Sequence, residues 1–119
     1  MGMPFRDGFG LWLERAPGFN TGRVKTPLRS ETYSLQGVLT HWEMHIALKM
    51  LKKPTELVIF QDGAHELVKP RQRYASLQGN VDWFSFWLQG KEDPDAEKAE
   101  QYARWRELKK LQEKNASSQ

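Results

Sequence analysis

Thr55-Glu56-Leu57-Val58-Ile59-Phe60-Gln61-Asp62-Gly63-Ala64-His65-Glu66 decides how this chain is read. The first half is a β-prone run that is apolar at every position from Leu57 to Phe60. Unbroken apolarity of this kind marks a strand covered on both faces, as in a parallel sheet. The second half is a turn, in which Gly63 lets the backbone bend sharply and another side chain come close to the ring that follows. His65 therefore stands directly after a buried strand, where open parallel sheets gather their ligand and catalytic groups. Position alone leaves it open between a working base and a loop histidine with no task.

Upstream, Thr40 followed by Glu43 is a capping box, and Met44, Ala47, Leu48 and Leu51 recur at helical spacing, which predicts a helix from about Thr40 to Lys52. Pro54 separates it from the strand, and the polar run Pro27 to Tyr33 is the preceding strand of a βαβ unit. Downstream, Pro70 opens a long helix whose apolar positions Tyr74, Leu77, Val81, Phe84 and Leu88 step by three and four, a face too apolar to be left in water. Trp83 and Trp87 form a flanking row, and with Phe86 their spacing assigns them to core packing. Gly90 closes that helix and Asp93-Pro94 starts another, amphipathic through Ala99, Tyr102, Ala103, Leu108 and Leu111 to about Lys114.

Residues 1–38 are loop-rich, holding six of the nine glycines and three of the six prolines, with a single helical turn from Leu11 to Arg15. Yet they carry Phe5, Phe9, Trp12 and Phe19, which need something to pack against. The 119 residues thus read as one partial α/β domain: a loop-rich segment over 1–38, about two parallel strands, a long helix, and an appended amphipathic helix over 92–114. A doubly wound sheet has about five strands or more, so the order of elements is that of the end of an α/β domain whose beginning lies elsewhere.

Composition narrows the function classes. Without cysteine there is no disulfide framework, thiolate metal site or thiol nucleophile. Net charge is +3, but residues 1–53 carry +4 and residues 54–119 carry −1 with both signs mixed, whereas phosphate binding wants a face of one sign. Nucleic acid is not the expected partner. The longest wholly aliphatic or aromatic run, Leu57 to Phe60, is far below the roughly 20 residues that span a bilayer, and the N-terminus lacks a signal-peptide core, so the chain reads as soluble.

His41 and His45 lie at i and i+4 on one helix face, a geometry that can hold a metal with Glu43 or Glu31 as oxygen donors, but no further ligand clusters with them. The pair reads as helix surface; no metal and no cofactor are expected. A serine hydrolase of α/β type sets its nucleophile in a G-x-S-x-G turn. Ser30, Ser34, Ser76 and Ser85 have neither those glycines nor that context, so the chain offers a base with no visible nucleophile to activate.

Lys53-Pro54, the strand Glu56 to Phe60, Asp62-Gly63-Ala64-His65 and a long helix together resemble the closing segment of prolyl oligopeptidase family serine peptidases, an α/β-hydrolase family. The stretch Leu11 to Asn20 resembles the segment leading to the strand before the triad acid. His65-Glu66-Leu67-Val68-Lys69-Pro70, Gln78-Gly79-Asn80-Val81-Asp82-Trp83-Phe84, Phe86-Trp87-Leu88 and Lys98 to Trp105 are similar to the lasso peptide isopeptidase branch. The resemblance runs from about Phe9 to Leu111. It implies that His65 is the triad base, deprotonating a serine and protonating the leaving amine. It also implies that nucleophile elbow, oxyanion hole and β-propeller lie N-terminal to these residues. An aspartate is expected in the loop after Pro27-Leu28, where this sequence has Arg29-Ser30-Glu31-Thr32-Tyr33-Ser34; Glu31 could serve chemically, and the acid is left unassigned.

Two readings follow. In the first, the chain is the C-terminal piece of such a peptidase, acting on peptide or isopeptide bonds, inactive alone, and partnered by the N-terminal part of its hydrolase domain. In the second, it is a small interaction module whose aromatic helices dock on another protein. The two separate by behaviour in solution: a half-sheet with exposed apolar surface binds a hydrophobic dye and self-associates, whereas an independent module melts cooperatively. Dye binding and oligomers are expected.

Overall fold

The computed structural model describes residues 2–117 and contains two parallel strands between helical layers. Helix α1 (Phe9–Arg15) and a 3₁₀ segment (Pro17–Arg23) lead into β1 (Leu28–Thr32). Helix α2 (Leu35–Met50) crosses to β2 (Thr55–Ile59), which pairs with β1 in parallel, Leu28 opposite Thr55 through Thr32 opposite Ile59. Helix α3 (Pro70–Gln89) ends on Gly90 in the left-handed region, and after a 3₁₀ turn (Ala96–Lys98) helix α4 (Ala99–Ala116) follows. This is the βαβ unit with two long helices expected from the sequence, a partial α/β arrangement of two parallel strands.

Side chains alternate across a strand, and the two faces of the pair are used differently. Helix α2 covers the face of Thr32 and Thr55, where His45 Nδ1 lies 3.2 Å from Thr55 Oγ1. Helices α3 and α4 cover the other. There Ser76 Oγ donates to Glu31 Oε2 at 2.5 Å, Arg29 Nη1 donates to Asn80 Oδ1 at 2.8 Å, and Trp105 Nε1 donates to Glu56 Oε1 at 3.0 Å. Cover on both faces agrees with the apolar run in β2, although Ile59 at the strand's end remains 49% exposed.

The start of α2 differs from the expected Thr40. Ser34 is the N-cap, its hydroxyl accepting the Gly37 N–H at 3.0 Å, and the Thr40 hydroxyl donates backwards to the Gly37 carbonyl from inside the helix. A serine in extended conformation two residues past β1 satisfies an orphan helix donor six residues earlier than the capping box does.

The core also differs from the expected face. Tyr74, Leu77, Val81, Phe84 and Leu88 are 58–77% exposed, while Trp83 and Phe86 are buried against Tyr102 and Trp105 of α4, with Trp87 and Leu108 packed around them. Trp105 is fully buried, with its ring edge-on to Trp83 at 5.2 Å and to Tyr102 at 5.3 Å. Helix α4 takes the aromatic row of α3 because that row offers the larger area and the edge-to-face geometry aromatic rings prefer. The Tyr74-to-Leu88 stripe points away from both sheet and α4. Beneath the helix pair, Asp82 is buried and accepts from Lys98, Gln78 and Gln101. Burial opposes the charge on Lys98, but its bonds to Asp93 and Asp82 outweigh that and hold the ammonium protonated well above the ordinary lysine range.

Candidate active site

The carboxyl ends of both strands lie side by side, and the last pairing bond, Phe60 N–H to Thr32 carbonyl at 2.8 Å, carries the register past β2. Beyond it the chain turns. Asp62 takes a positive φ of 52°, and Gly63 N–H returns to the Phe60 carbonyl at 3.2 Å. Gly63 is required by proximity, since a Cβ there would lie 2.7 Å from Tyr33 Cβ and 3.1 Å from the Phe60 carbonyl oxygen. The start of α3 pins this loop: Lys69, the N-cap residue, donates from Nζ to the Asp62 carbonyl, and Gln72 in the first turn from Nε2 to the Gln61 carbonyl, each at 2.7 Å.

His65 sits on this loop, exposed, with Nδ1 2.6 Å from the Tyr33 hydroxyl and the two rings edge-on at 5.7 Å between centroids. Nε2 has no protein partner among the described residues. A ring held at one nitrogen and open at the other can exchange a proton with a group brought to the open side.

Glu31 is not part of this arrangement. It lies two residues before Tyr33, within β1, bonded to Ser76 of α3 and to Arg29, and Arg29 reaches Glu56 as well, Nε to Oε2 at 3.4 Å. Among the described residues no carboxylate hydrogen-bonds to His65. Tyr33, which does, was not singled out by the sequence, although it is the first residue after a strand parallel to the one that delivers His65, and lies within the loop from which a triad acid would come.

The helix histidines lie elsewhere. His41 Nδ1 donates to the Gly37 carbonyl at 2.7 Å, while half-buried His45 faces Thr55. Burial, then the Lys49 ammonium, pushes the His45 pKa below the ordinary histidine value. The described residues contain no group of three His, Asp or Glu side chains placed to hold a metal ion. A concavity of about 440 Å³, lined by Val24, Leu51, Pro54 and Gln112 among others, opens at the amino ends of the strands, away from His65. Three of its polar side chains are spent on backbone carbonyls, Gln112 on Lys25, Lys53 on Gly22 and Asn115 on Lys52, so they do not converge on a common point as groups around a reacting centre would.

No protein-family model matches the chain. It is 36% identical over 109 residues to the lasso peptide isopeptidase AtxE2 of Asticcacaulis excentricus, a match covering 90% of this chain and 15% of that protein. Two solved structures of AtxE2 superpose on 84% of the chain at 35% identity: a serine-to-alanine variant with Astexin3-dC4 bound, at a TM-score of 0.76, and the apo form, at 0.74. The chain spans 15% of the length of each.

Proposed function

Because this chain is homologous to a segment of the lasso peptide isopeptidase branch of α/β-hydrolases, we propose that it is the histidine-bearing part of a serine isopeptidase, with His65 as the general base. The observation that carries the reading is His65 itself, on a glycine-turned loop at the carboxyl end of a parallel strand, tethered through Nδ1 and open at Nε2. With its own proton on Nδ1, such a ring takes the proton of a serine hydroxyl at Nε2 as the oxygen attacks a carbonyl, then returns it to the departing amine, so that an acyl-enzyme forms and water releases it. The substrate class is a peptide or isopeptide, in keeping with a relative solved with Astexin3-dC4 bound.

The nucleophile comes from outside these 119 residues. Ser34 stands at the β1–α2 junction, but in ordinary extended backbone and with its hydroxyl spent on the Gly37 N–H. Ser76 is bonded to Glu31, Ser30 lies within β1 and Ser85 within α3, and none of the four has the G-x-S-x-G turn of a nucleophile elbow. The N-terminal part of the hydrolase domain is the natural partner, and the chain alone is expected to resist labelling by a serine-directed fluorophosphonate.

Fusing the chain to the remainder of an intact relative tests the role of His65. The fusion should cleave an isopeptide substrate, and His65→Ala should lower kcat by on the order of 10⁴ to 10⁶, the cost of losing a triad member. His41→Ala and His45→Ala should change turnover little. A folded His65→Ala fusion that kept most of its activity would remove the assignment.

A further inference from the structure

The end of β1 and the histidine loop meet in one polar contact, Tyr33 hydroxyl to His65 Nδ1 at 2.6 Å. We propose that Tyr33 is the positioning residue of His65, donating its hydroxyl proton to Nδ1 in the place where a triad hydrolase sets a carboxylate; the proposal rests on His65 being the base. Both partners are fixed from behind. Thr32, just before Tyr33, is paired to β2 through Phe60, and Ser34, just after it, caps α2. The loop of His65 is held by Lys69 and Gln72. Glu31, the nearby carboxylate that could have served, is committed to Arg29 of its own strand and to Ser76 of α3.

The chemistry of a phenol gives this contact a direction. A hydroxyl can donate or accept, whereas a carboxylate only accepts. Phenol is a stronger acid than an imidazole N–H, and the unprotonated imidazole nitrogen is a stronger base than phenol oxygen, so O–H to Nδ1 is the favoured arrangement. The neutral ring then carries its proton on Nε2, the nitrogen that has to accept one from serine. To act as base the ring must move that proton to Nδ1 through solvent, and the hydroxyl must rotate to accept it; no proton is gained or lost. A carboxylate would hold Nδ1–H throughout and stabilise the imidazolium that forms. Tyr33 therefore orients the ring but leaves it resting in the unreactive tautomer.

Ring-nitrogen NMR of the histidine-labelled full chain, recorded in the solid state so that association does not interfere, reads this directly, with His65→Gln assigning the signals. The expected wild-type pattern is Nε2 protonated and Nδ1 accepting a hydrogen bond. Tyr33→Phe should move Nδ1 to the position of a free acceptor, and Tyr33→Asp should transfer the proton to Nδ1. A wild-type proton on Nδ1, or an Nδ1 signal unchanged by Tyr33→Phe, overturns the proposal. In the fused enzyme Tyr33→Asp should raise kcat by about 10²-fold, within the range a well-placed acid–base group supplies, and an unchanged or lower kcat counts equally against it. Loss of the His65→Ala effect would instead sink the base assignment while leaving the ring-nitrogen pattern in place, so the two failures are distinguishable.

Discussion

Arg29 lies directly beneath Gly79: a Cβ on that helix residue would come within 2.5 Å of Arg29 Nη2. The guanidinium is the tip of a long side chain, but it has nowhere to go. Its side chain is only 6% exposed and is bonded to Glu31 and Asn80 and paired with Glu56, which ties both strands to α3. Gly79→Ala should therefore destabilise by about 1–2 kcal/mol through overpacking and strained hydrogen bonds. Helix propensity alone predicts the opposite sign, a gain of about 1 kcal/mol. Urea denaturation followed by tryptophan fluorescence decides between them.

Trp105→Phe removes the indole N–H that donates to Glu56 while leaving an aromatic ring in a fully buried place. Half-buried Glu56 keeps its Arg29 and Arg104 contacts, so the expected loss is about 1–2 kcal/mol, the cost of a hydrogen bond to a charged acceptor. Trp105→Ala should cost about 3–5 kcal/mol, as buried Trp to Ala changes do. Near-ultraviolet circular dichroism should lose most of its aromatic signal in the second variant and little in the first.

His45 makes stability fall with acid. Burial and Lys49 lower its pKa in the folded state, so between the folded and the ordinary unfolded value the unfolded chain binds more protons and stability rises with pH. The contribution is complete above the unfolded value near 6.5 and is lost as pH falls through the folded one. Asp93, lowered by its bond to Lys98, acts in the same direction but in the more acidic carboxylate range. His45→Gln should flatten the dependence of Tm on pH between about 7 and 5 and leave the more acidic limb untouched.

The stripe of Tyr74, Leu77, Val81, Phe84 and Leu88 leaves a row of large apolar side chains uncovered on α3. Contiguous apolar surface of this kind drives association. The 119-residue chain should bind a hydrophobic dye and sediment as oligomers at micromolar concentration, and the double variant Leu77→Lys, Phe84→Glu should reduce both without loss of helix signal. A sharp, cooperative melt of a monomer in dilute buffer would favour the interaction-module reading instead.

The local signals that proved legible were those set by chain chemistry: the apolar run Leu57 to Phe60, the Pro70 start and Gly90 stop of α3, and the glycine turn before His65. Illegible was anything decided by which surface a neighbour chose. Helical spacing shows that α3 has two apolar rows, but which row α4 covers depends on Trp105, whose burial no period reveals, and the choice went to Trp83 and Phe86. The cap of α2 passed to Ser34 because β1 ends one residue before Tyr33, a boundary the polar sequence of that strand conceals. The proposed site was half legible for the same reason: the turn that carries His65 is marked in the sequence, whereas Tyr33 is marked only by the parallel register that places it alongside.

Gly63 has to be glycine because of the Cβ of residue 33, and every amino acid except glycine has that Cβ. The constraint on the loop is thus blind to what residue 33 carries beyond its first carbon. One codon can exchange the hydrogen-bonding partner of His65, hydroxyl for carboxylate, while the loop's close approach remains as it is. Evolution and the experimenter meet the same open position: the shape of the histidine turn is inherited separately from the chemistry that addresses the ring.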